Sequence, residues 1–505
     1  MTSDPRTHAA TPVSRTLGTE TEYGIATKDQ DLDDSVANSI RVIGAYPDLL
    51  APHAVWDYEQ ENPLVDARGF EVEGERERPD PEYNRRVNKL LANGGRWYVD
   101  GAHPEYSTPE CLSPLDIVVY ERAGDRVAAA CLAALDQWRG GNPFILYRNN
   151  SDGKGNSYGY HENYLVSRAV PFDRLAKALI PFLVTRSIVA GAGKVGAENH
   201  TAPCEFQISQ RADFFETLLD LNTMVRRPIM NTRDEPHADA AQYRRLHVIV
   251  GDANMAELST YLKVGTLALV LDAVEAGWPL PVFELENPVR AIKEVSRDLE
   301  VKHTLKLADG RPTTALHIQR AYADAIGKFV ATAARPPFAL DVQRRWTEVL
   351  DQLDSNPMAL ARKLDWVAKR QLIESYMDRK GLGWDDPRAK LLDLQYHDIR
   401  PEKGLYYTLE RAGHMDRLCT EARIAAAVDQ PPDETRAYFR GRCVAKFPRA
   451  IYGASWTSLL VMSGSGAIKR VPLMDPYRGT KTLTGSLLDR SASVDELLAN
   501  LQGAH

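Results

Sequence analysis

Nothing in this sequence supports a disulfide framework or a structural zinc site. Its five cysteines, Cys111, Cys131, Cys204, Cys419 and Cys443, are odd in number, widely spaced and never arranged as CxxC. Reduced thiols and a cytoplasmic setting are therefore expected. No run of about 18 or more apolar residues occurs, and Met1 to Ser14 lacks the apolar core of a secretory signal. Neither membrane insertion nor standard export is expected. Positive charge is not in surplus: 62 Lys and Arg against 69 Asp and Glu give a formal net charge of -7, which disfavours DNA and RNA as partners. Internal repeats and low-complexity tracts are also missing.

What is present suits an ordinary globular protein. Hydrophobic residues at 44% and charged residues at 26% are enough to bury a sizeable core. The 505 residues exceed the usual single-core size, so one dominant body with a small appendage is expected. Residues 1–13 read as a disordered N-terminus, 14–429 as the catalytic domain and 430–505 as a small C-terminal domain. That last boundary follows from Pro431, Pro432 and Asp433, since proline ends a helix and Asp caps the next. Within the catalytic domain, about 30–86 is rich in Asp, Glu, Pro and Arg, contains GERERPDPEYNRR and reads as a mobile insert able to act as a lid. Strands are expected at 14–27, 96–100, 144–147, 160–167, 204–209 and 244–250. Helices are expected at 114–139, at 171–188 and from Met255 to about Arg379. The mixture is α+β.

Four of these strands carry an unusual polar face. Side chains alternate across a strand, so Glu20 and Glu22 project together roughly 6.5 Å apart, a spacing suited to two cations bridged by phosphate oxygens. In RWYVD, Arg96, Tyr98 and Asp100 share one face while Trp97 and Val99 take the other. HPEYSTPE follows directly, with Glu105, Ser107 and Thr108. His161 and Asn163 point one way in YHENY, and Arg245 and His247 lie opposite Leu246, Val248 and Val250. Each segment alone is compatible with an exposed strand or polar turn. Together they point to one channel that holds magnesium or manganese and a nucleotide, with Arg245 meeting phosphate charge. GAGK at 191–194 lacks the spacing of a Walker motif and reads as a loop, and Asn150–Asn156 reads as a turn.

The segments GTETEYGI at 18–25, RWYVDGAHPEYSTPE at 96–110, GNSYGYHENYLV at 155–166 and RRLHVIVGDAN at 244–254 resemble the Pup ligase and deamidase-of-Pup family. The family is similar to glutamine synthetase and the carboxylate-amine ligases. The resemblance implies a glutamine-synthetase-like antiparallel sheet packed with helices, with ATP and Mg2+ as cofactors. It implies magnesium contacts from Glu20, Tyr98, Glu105, His161 and His247, and nucleotide contacts from Ser107, Thr108, Asn163 and Arg245. Trp456 in GASWTSLL resembles the tryptophan that closes the nucleotide site. Glu20, Glu22, Tyr23, Gly24 and Arg96 complete the expected nucleotide-binding set, and Asp100 is the implied catalytic carboxylate, as nucleophile or as general base.

TETEYG and the long insert resemble the depupylase branch. It hydrolyses the isopeptide bond between the C-terminal glutamate of Pup and substrate lysines, and deamidates a C-terminal glutamine of Pup. A Pup–protein ligase and a catalytically inactive Pup-binding scaffold are the alternatives. The partners implied are Pup and pupylated proteins, and a monomer is expected. Arg227 and Arg233 are candidates for a groove that accepts the acidic Pup chain.

Overall fold

The period-two patterning resolves into a six-stranded antiparallel sheet in the computed structural model, which describes residues 14–502 apart from 30, 75–77, 138–140, 224 and 333–334. From one edge to the other run Tyr243–Val248, Tyr160–Ser167, Leu17–Glu22, His103–Ser107, Arg96–Asp100 and Asn88–Leu90. Burial alternates along them: Leu17, Thr19 and Thr21 are buried while Gly18, Glu20 and Glu22 stay partly open. The register sets Glu20 opposite both His161 and Ser107, Glu22 opposite Glu105, Glu105 opposite Tyr98, and Asn163 opposite His247. Directly opposed residues share a face. The polar residues singled out from sequence thus converge on one side of the sheet.

Helices cover the other side. Pro114–Leu135 begins at Ser113, whose Oγ accepts from the Asp116 N–H at 3.1 Å, and proline occupies its first turn. Gly124 lets this helix approach the sheet, because a Cβ there would lie 2.4 Å from the Tyr106 ring. Glu257–Glu275 is buried along nearly its whole length and packs against Pro114–Leu135 and Ala339–Ser355, as a helix that is apolar all round must. The helix expected at 171–188 is Phe172–Thr185 followed by the short Ser187–Ala190, with Pro181 inside the first. Of the strand expected at 204–209 only Phe206–Gln207 pairs, with Lys194–Val195. Lys194 there pairs with Glu198 at 2.8 Å and Asp213 at 3.3 Å, so GAGK is a structural hairpin.

The insert is not one open loop. Asp34 caps the helix Ser35–Gly44, which sets Val42 and Ile43 into a core with Trp97, Tyr106 and Val127. Further on, Val55–Trp56 pairs in parallel with Ile451–Ser455 and becomes the edge of the C-terminal four-stranded sheet. Its average polarity hid buried apolar positions at Val42, Ile43, Tyr46, Ala51, Ala54 and Trp56. The segment beyond residue 430 thus completes its sheet with a strand borrowed from far upstream. It docks on the larger body through Arg436 and Arg440, both bonded to the Glu110 carboxylate. The tail at 1–13 lies outside the described residues.

Candidate active site

Two clusters of possible cation ligands share the polar face. In the first, Glu20, His161 and His247 bring ligand atoms within 4.8 Å of one another, and in the second Glu22, Asp100 and Glu105 do the same. Glu20 is held from both sides: His161 Nδ1 lies 3.2 Å from Oε2, and Asn163 Nδ2 donates to Oε1 at 3.1 Å. Burial alone would raise its pKa, but His161, Arg245 and Asn163 outweigh that and hold it at about 2. His247 Nδ1 lies 2.9 Å from Asn163 Oδ1, and burial with the nearby Arg245 keeps its imidazole neutral, the form that ligates metals.

The second cluster is electrostatically unbalanced. Tyr98 donates to Glu105 Oε1 at 2.6 Å, while Oε2 of the same carboxylate is buried with no partner. Burial, then the charges of Asp100, Glu20 and Glu22, push the Glu105 carboxyl well up. Asp100 stands at its strand end with its side chain open to solvent, yet the surrounding protein mass and Glu22 raise its carboxyl too. Crowded carboxylates with one orphaned oxygen fit a divalent cation, which would neutralise the crowding and supply Glu105 with its missing partner. The all-carboxylate triad suits magnesium, and the Glu–His–His triad also suits manganese. Tyr98, expected as a magnesium contact, donates its hydroxyl to Glu105 at 2.6 Å.

Beside these clusters opens a cavity lined by Gly18, Glu20, Ser107, Thr108, Asn163, Leu165, Arg245, Arg436 and Trp456, among others. Six members of the expected nucleotide set therefore line it: Glu20, Ser107, Thr108, Asn163, Arg245 and Trp456. Ser107 Oγ is buried without a partner, and Arg245 Nη1 reaches Asn163 Oδ1 at 2.7 Å. The remaining four do not line it. Tyr23 points under the sheet, where its hydroxyl donates to Asp125 at 2.9 Å, because odd positions of this segment face the core. Gly24 opens the next strand, and a Cβ there would lie 2.2 Å from the Tyr158 hydroxyl, so close packing explains the glycine. Glu22 belongs to the carboxylate cluster. Arg96 is buried, its guanidinium stacked between the rings of Trp56 and Tyr98. Of the groove candidates, Arg227 donates to Ser157 O at 2.7 Å and feels the charge of Glu22, whereas Arg233 leans on Glu235 at 3.9 Å.

Sequence reasoning missed His237 and Trp56, and it read Glu110 only as one of the carboxylates of HPEYSTPE, without its arginine partners. Glu110 lines the cavity, and its two arginines come from more than 300 residues downstream. His237 also lines it, with a strained φ of 48° and an imidazole kept neutral by burial and by arginines that include Arg245 and Arg436. Trp56 gave no signal beyond being a tryptophan in a polar stretch.

One face of the sheet gathers carboxylates that no arginine among the described residues matches, next to a cavity with arginine, hydroxyl and indole walls, an arrangement chemically able to hold cations beside an anionic ligand. Residues 15–460 match the family described as Pup-ligase protein. The chain is 47% identical over 501 residues to a depupylase of Acidothermus cellulolyticus, covering 97% of this chain and 99% of that one. It is 46% identical to a Pup deamidase/depupylase of Mycolicibacterium smegmatis, covering 97% and 100%. A Pup–protein ligase of Paenarthrobacter aurescens is 43% identical, covering 81% and 91%. Among solved structures, the Pup ligase PafA in complex with Pup superposes with a TM-score of 0.80 at 34% identity, covering 98% of this chain and 95% of that one. PafA in complex with ADP gives 0.73 at 37%, covering 83% and 96%. The chain belongs to the Pup-ligase protein family.

Proposed function

We propose that this enzyme is a depupylase and Pup deamidase: it hydrolyses the isopeptide bond between the C-terminal glutamate of Pup and a substrate lysine, and converts a C-terminal glutamine of Pup to glutamate. The observation that carries the reading is Asp100, water-accessible in a carboxylate cluster whose neighbour on the same sheet face is a cavity walled by Ser107, Thr108, Arg245 and Trp456. Near-complete coverage of relatives named depupylase, at higher identity than those named ligase, supports the hydrolytic direction.

Both reactions attack the same side-chain carboxamide carbon. Asp100 either adds to it, expelling the amine and leaving an anhydride that water opens, or takes a proton from the attacking water. Water is consumed either way, and a free carboxylate and an amine or ammonia leave. Ser107, Thr108, Asn163, Arg245 and Trp456 would hold ATP, and Glu20, His161, His247, Glu22 and Glu105 would hold Mg2+, which would supply charge compensation for phosphate oxygens and for the oxyanion that develops on the carbonyl. Asn163 fixes the geometry between Glu20, His247 and Arg245, so nucleotide and cation ligands are aligned before substrate arrives.

Pup and pupylated proteins are the partners, the setting is cytoplasmic and the working unit is a monomer. Among the described residues no helix is long and apolar enough to cross a membrane. The deciding experiment is cleavage of a Pup–substrate conjugate with and without nucleotide. Release of intact Pup only with ATP and Mg2+ is expected. Conjugate formation from glutamate-terminated Pup, ATP and a lysine acceptor would make the enzyme a ligase, and Pup binding without turnover would make it a scaffold.

A further inference from the structure

The insert reaches the site through one tryptophan. Trp56 is 2% exposed and meets Trp456 edge-on, with ring centroids 5.3 Å apart. On its other flank the Arg96 guanidinium lies 3.8 Å from the Trp56 ring centroid and 3.7 Å from that of Tyr98. Tyr98 in turn donates to Glu105. A continuous chain of contacts therefore runs Trp456, Trp56, Arg96, Tyr98, Glu105, from the cavity wall to the carboxylate cluster. Its middle is pinned: Trp56 Nε1 donates to Glu61 at 2.8 Å, and Arg96 Nε donates to Asn88 at 2.9 Å. Trp56 itself is carried by the parallel pairing of Val55 and Trp56 with Gly453 and Ala454. Gly453 permits that pairing, since a Cβ there would lie 2.4 Å from Val55 O.

We infer that Trp56 and Arg96 are positioning residues that couple the nucleotide-side indole of Trp456 to the Tyr98–Glu105 pair, so that the ordered start of the insert is part of the site's framework. Neither touches the reacting atoms. A planar, delocalised guanidinium fills the slot between two aromatic faces, and an ammonium on a flexible stem does not replace it. The inference rests on the reading of the cavity as a nucleotide site, though not on which Pup reaction follows.

The test compares Trp56→Ala, Trp56→Phe and Arg96→Lys with the parent enzyme, reading magnesium-ADP affinity by calorimetry, conjugate turnover and the thermal midpoint. Trp56→Ala should weaken ADP binding about tenfold, and Trp56→Phe should stay within about threefold because a ring still supports Trp456. Arg96→Lys keeps the charge and the Trp56–Trp456 contact, so ADP affinity should hold while turnover falls about tenfold or more through Tyr98 and Glu105. Trp56→Ala with parental affinity, or Trp56→Phe as damaging as Ala at an unchanged midpoint, overturns the inference. Should Trp56→Ala fail to fold, Arg96→Lys with parental turnover overturns it instead. Calorimetry contains no Pup, so an enzyme that binds ADP but cleaves no conjugate refutes the depupylase reading and leaves the Trp56 arm intact.

Discussion

The two faces of the central sheet both carry acidic residues, and they treat them in opposite ways. Below the sheet, Glu162 receives both Arg186 nitrogens at 2.8 and 2.7 Å, Asp125 receives Arg148 at 3.0 Å, and Glu121 pairs with the same Arg148. Tyr164 donates to Glu162, Tyr160 to Glu121 and Tyr23 to Asp125. Above it, Glu22, Asp100 and Glu105 face one another, and the pKa values of Asp100 and Glu105 are driven upward. A buried carboxylate matched by arginine belongs to the framework, whereas one left to its own kind is waiting for a ligand. One strand serves both faces: Tyr160–Ser167 sends His161 and Asn163 up and Glu162 down.

The sharpest way to break this comparison is to remove a carboxylate from each face. Asp100→Asn should lower conjugate cleavage by at least about 10³-fold while leaving the thermal midpoint and nucleotide affinity near parental values. Near-normal turnover, in a preparation shown by mass spectrometry to be free of reversion to Asp, would remove Asp100 from the mechanism. On the lower face, Arg186→Leu strands Glu162 in the core and should cost about 3–5 kcal/mol of stability, read as a lower urea midpoint. A loss under about 1 kcal/mol would mean that Glu162 protonates or rehydrates cheaply, and the lower network would lose its status as framework.

The contact of Arg436 and Arg440 with Glu110 offers a matched carboxylate whose pH response has a definite sign. Burial would raise the Glu110 carboxyl, but Arg440 and Arg436 together bring it down to about 2, against an ordinary value of 4.5. A depressed carboxyl stabilises the fold above its unfolded pKa and loses that contribution as pH falls through its folded one. The docking contribution is therefore whole above about pH 4.5 and decays toward pH 2, an effect on the order of 3 kcal/mol. Glu110→Gln should flatten this part of the stability profile and weaken nucleotide affinity, since Glu110 and Arg436 both line the cavity. A Gln variant with the parental acid slope would assign that slope to other carboxylates.

How far the sequence carried the fold depends on the range of the interaction. Period-two alternation is local, so the strands 96–100, 144–147 and 160–167 and the shared face of Glu20, His161, Asn163, Arg245 and His247 were legible from spacing alone. The partners were not. Arg148 and Arg186 reach their carboxylates across 23 to 27 residues, and Arg436 and Arg440 reach Glu110 across 326 and 330. No local pattern encodes such pairs. Tyr23 and Gly24 stand outside the cavity lining, Tyr23 because odd positions of the first strand face the core and Gly24 because it opens the next strand. The insert was misjudged because composition was averaged over a segment whose few apolar residues are the ones that pack.

The smallest expected effect bears on the upper face itself. Glu20 is held far down, at about 2, so it is ionised before any cation arrives, with His161 and Asn163 already fixing its two oxygens. Its removal should weaken the Glu20–His161–His247 cluster without disturbing the strand, because the side chain is only partly buried and the pairing partners are main-chain groups. Glu20→Ala should lower magnesium-ATP affinity about tenfold, the consequence of one fewer anionic ligand against a triphosphate. Added Mg2+ or Mn2+ should raise the parental thermal midpoint, since a ligand bound only to the folded state stabilises it, and the rise should shrink in the variant. Calorimetry gives the affinity and the metal stoichiometry, and a thermal scan with and without EDTA gives the shift. Unchanged affinity together with an unchanged metal-dependent shift would take Glu20 out of the cation site and move its low pKa to the account of framework pairing, as on the lower face.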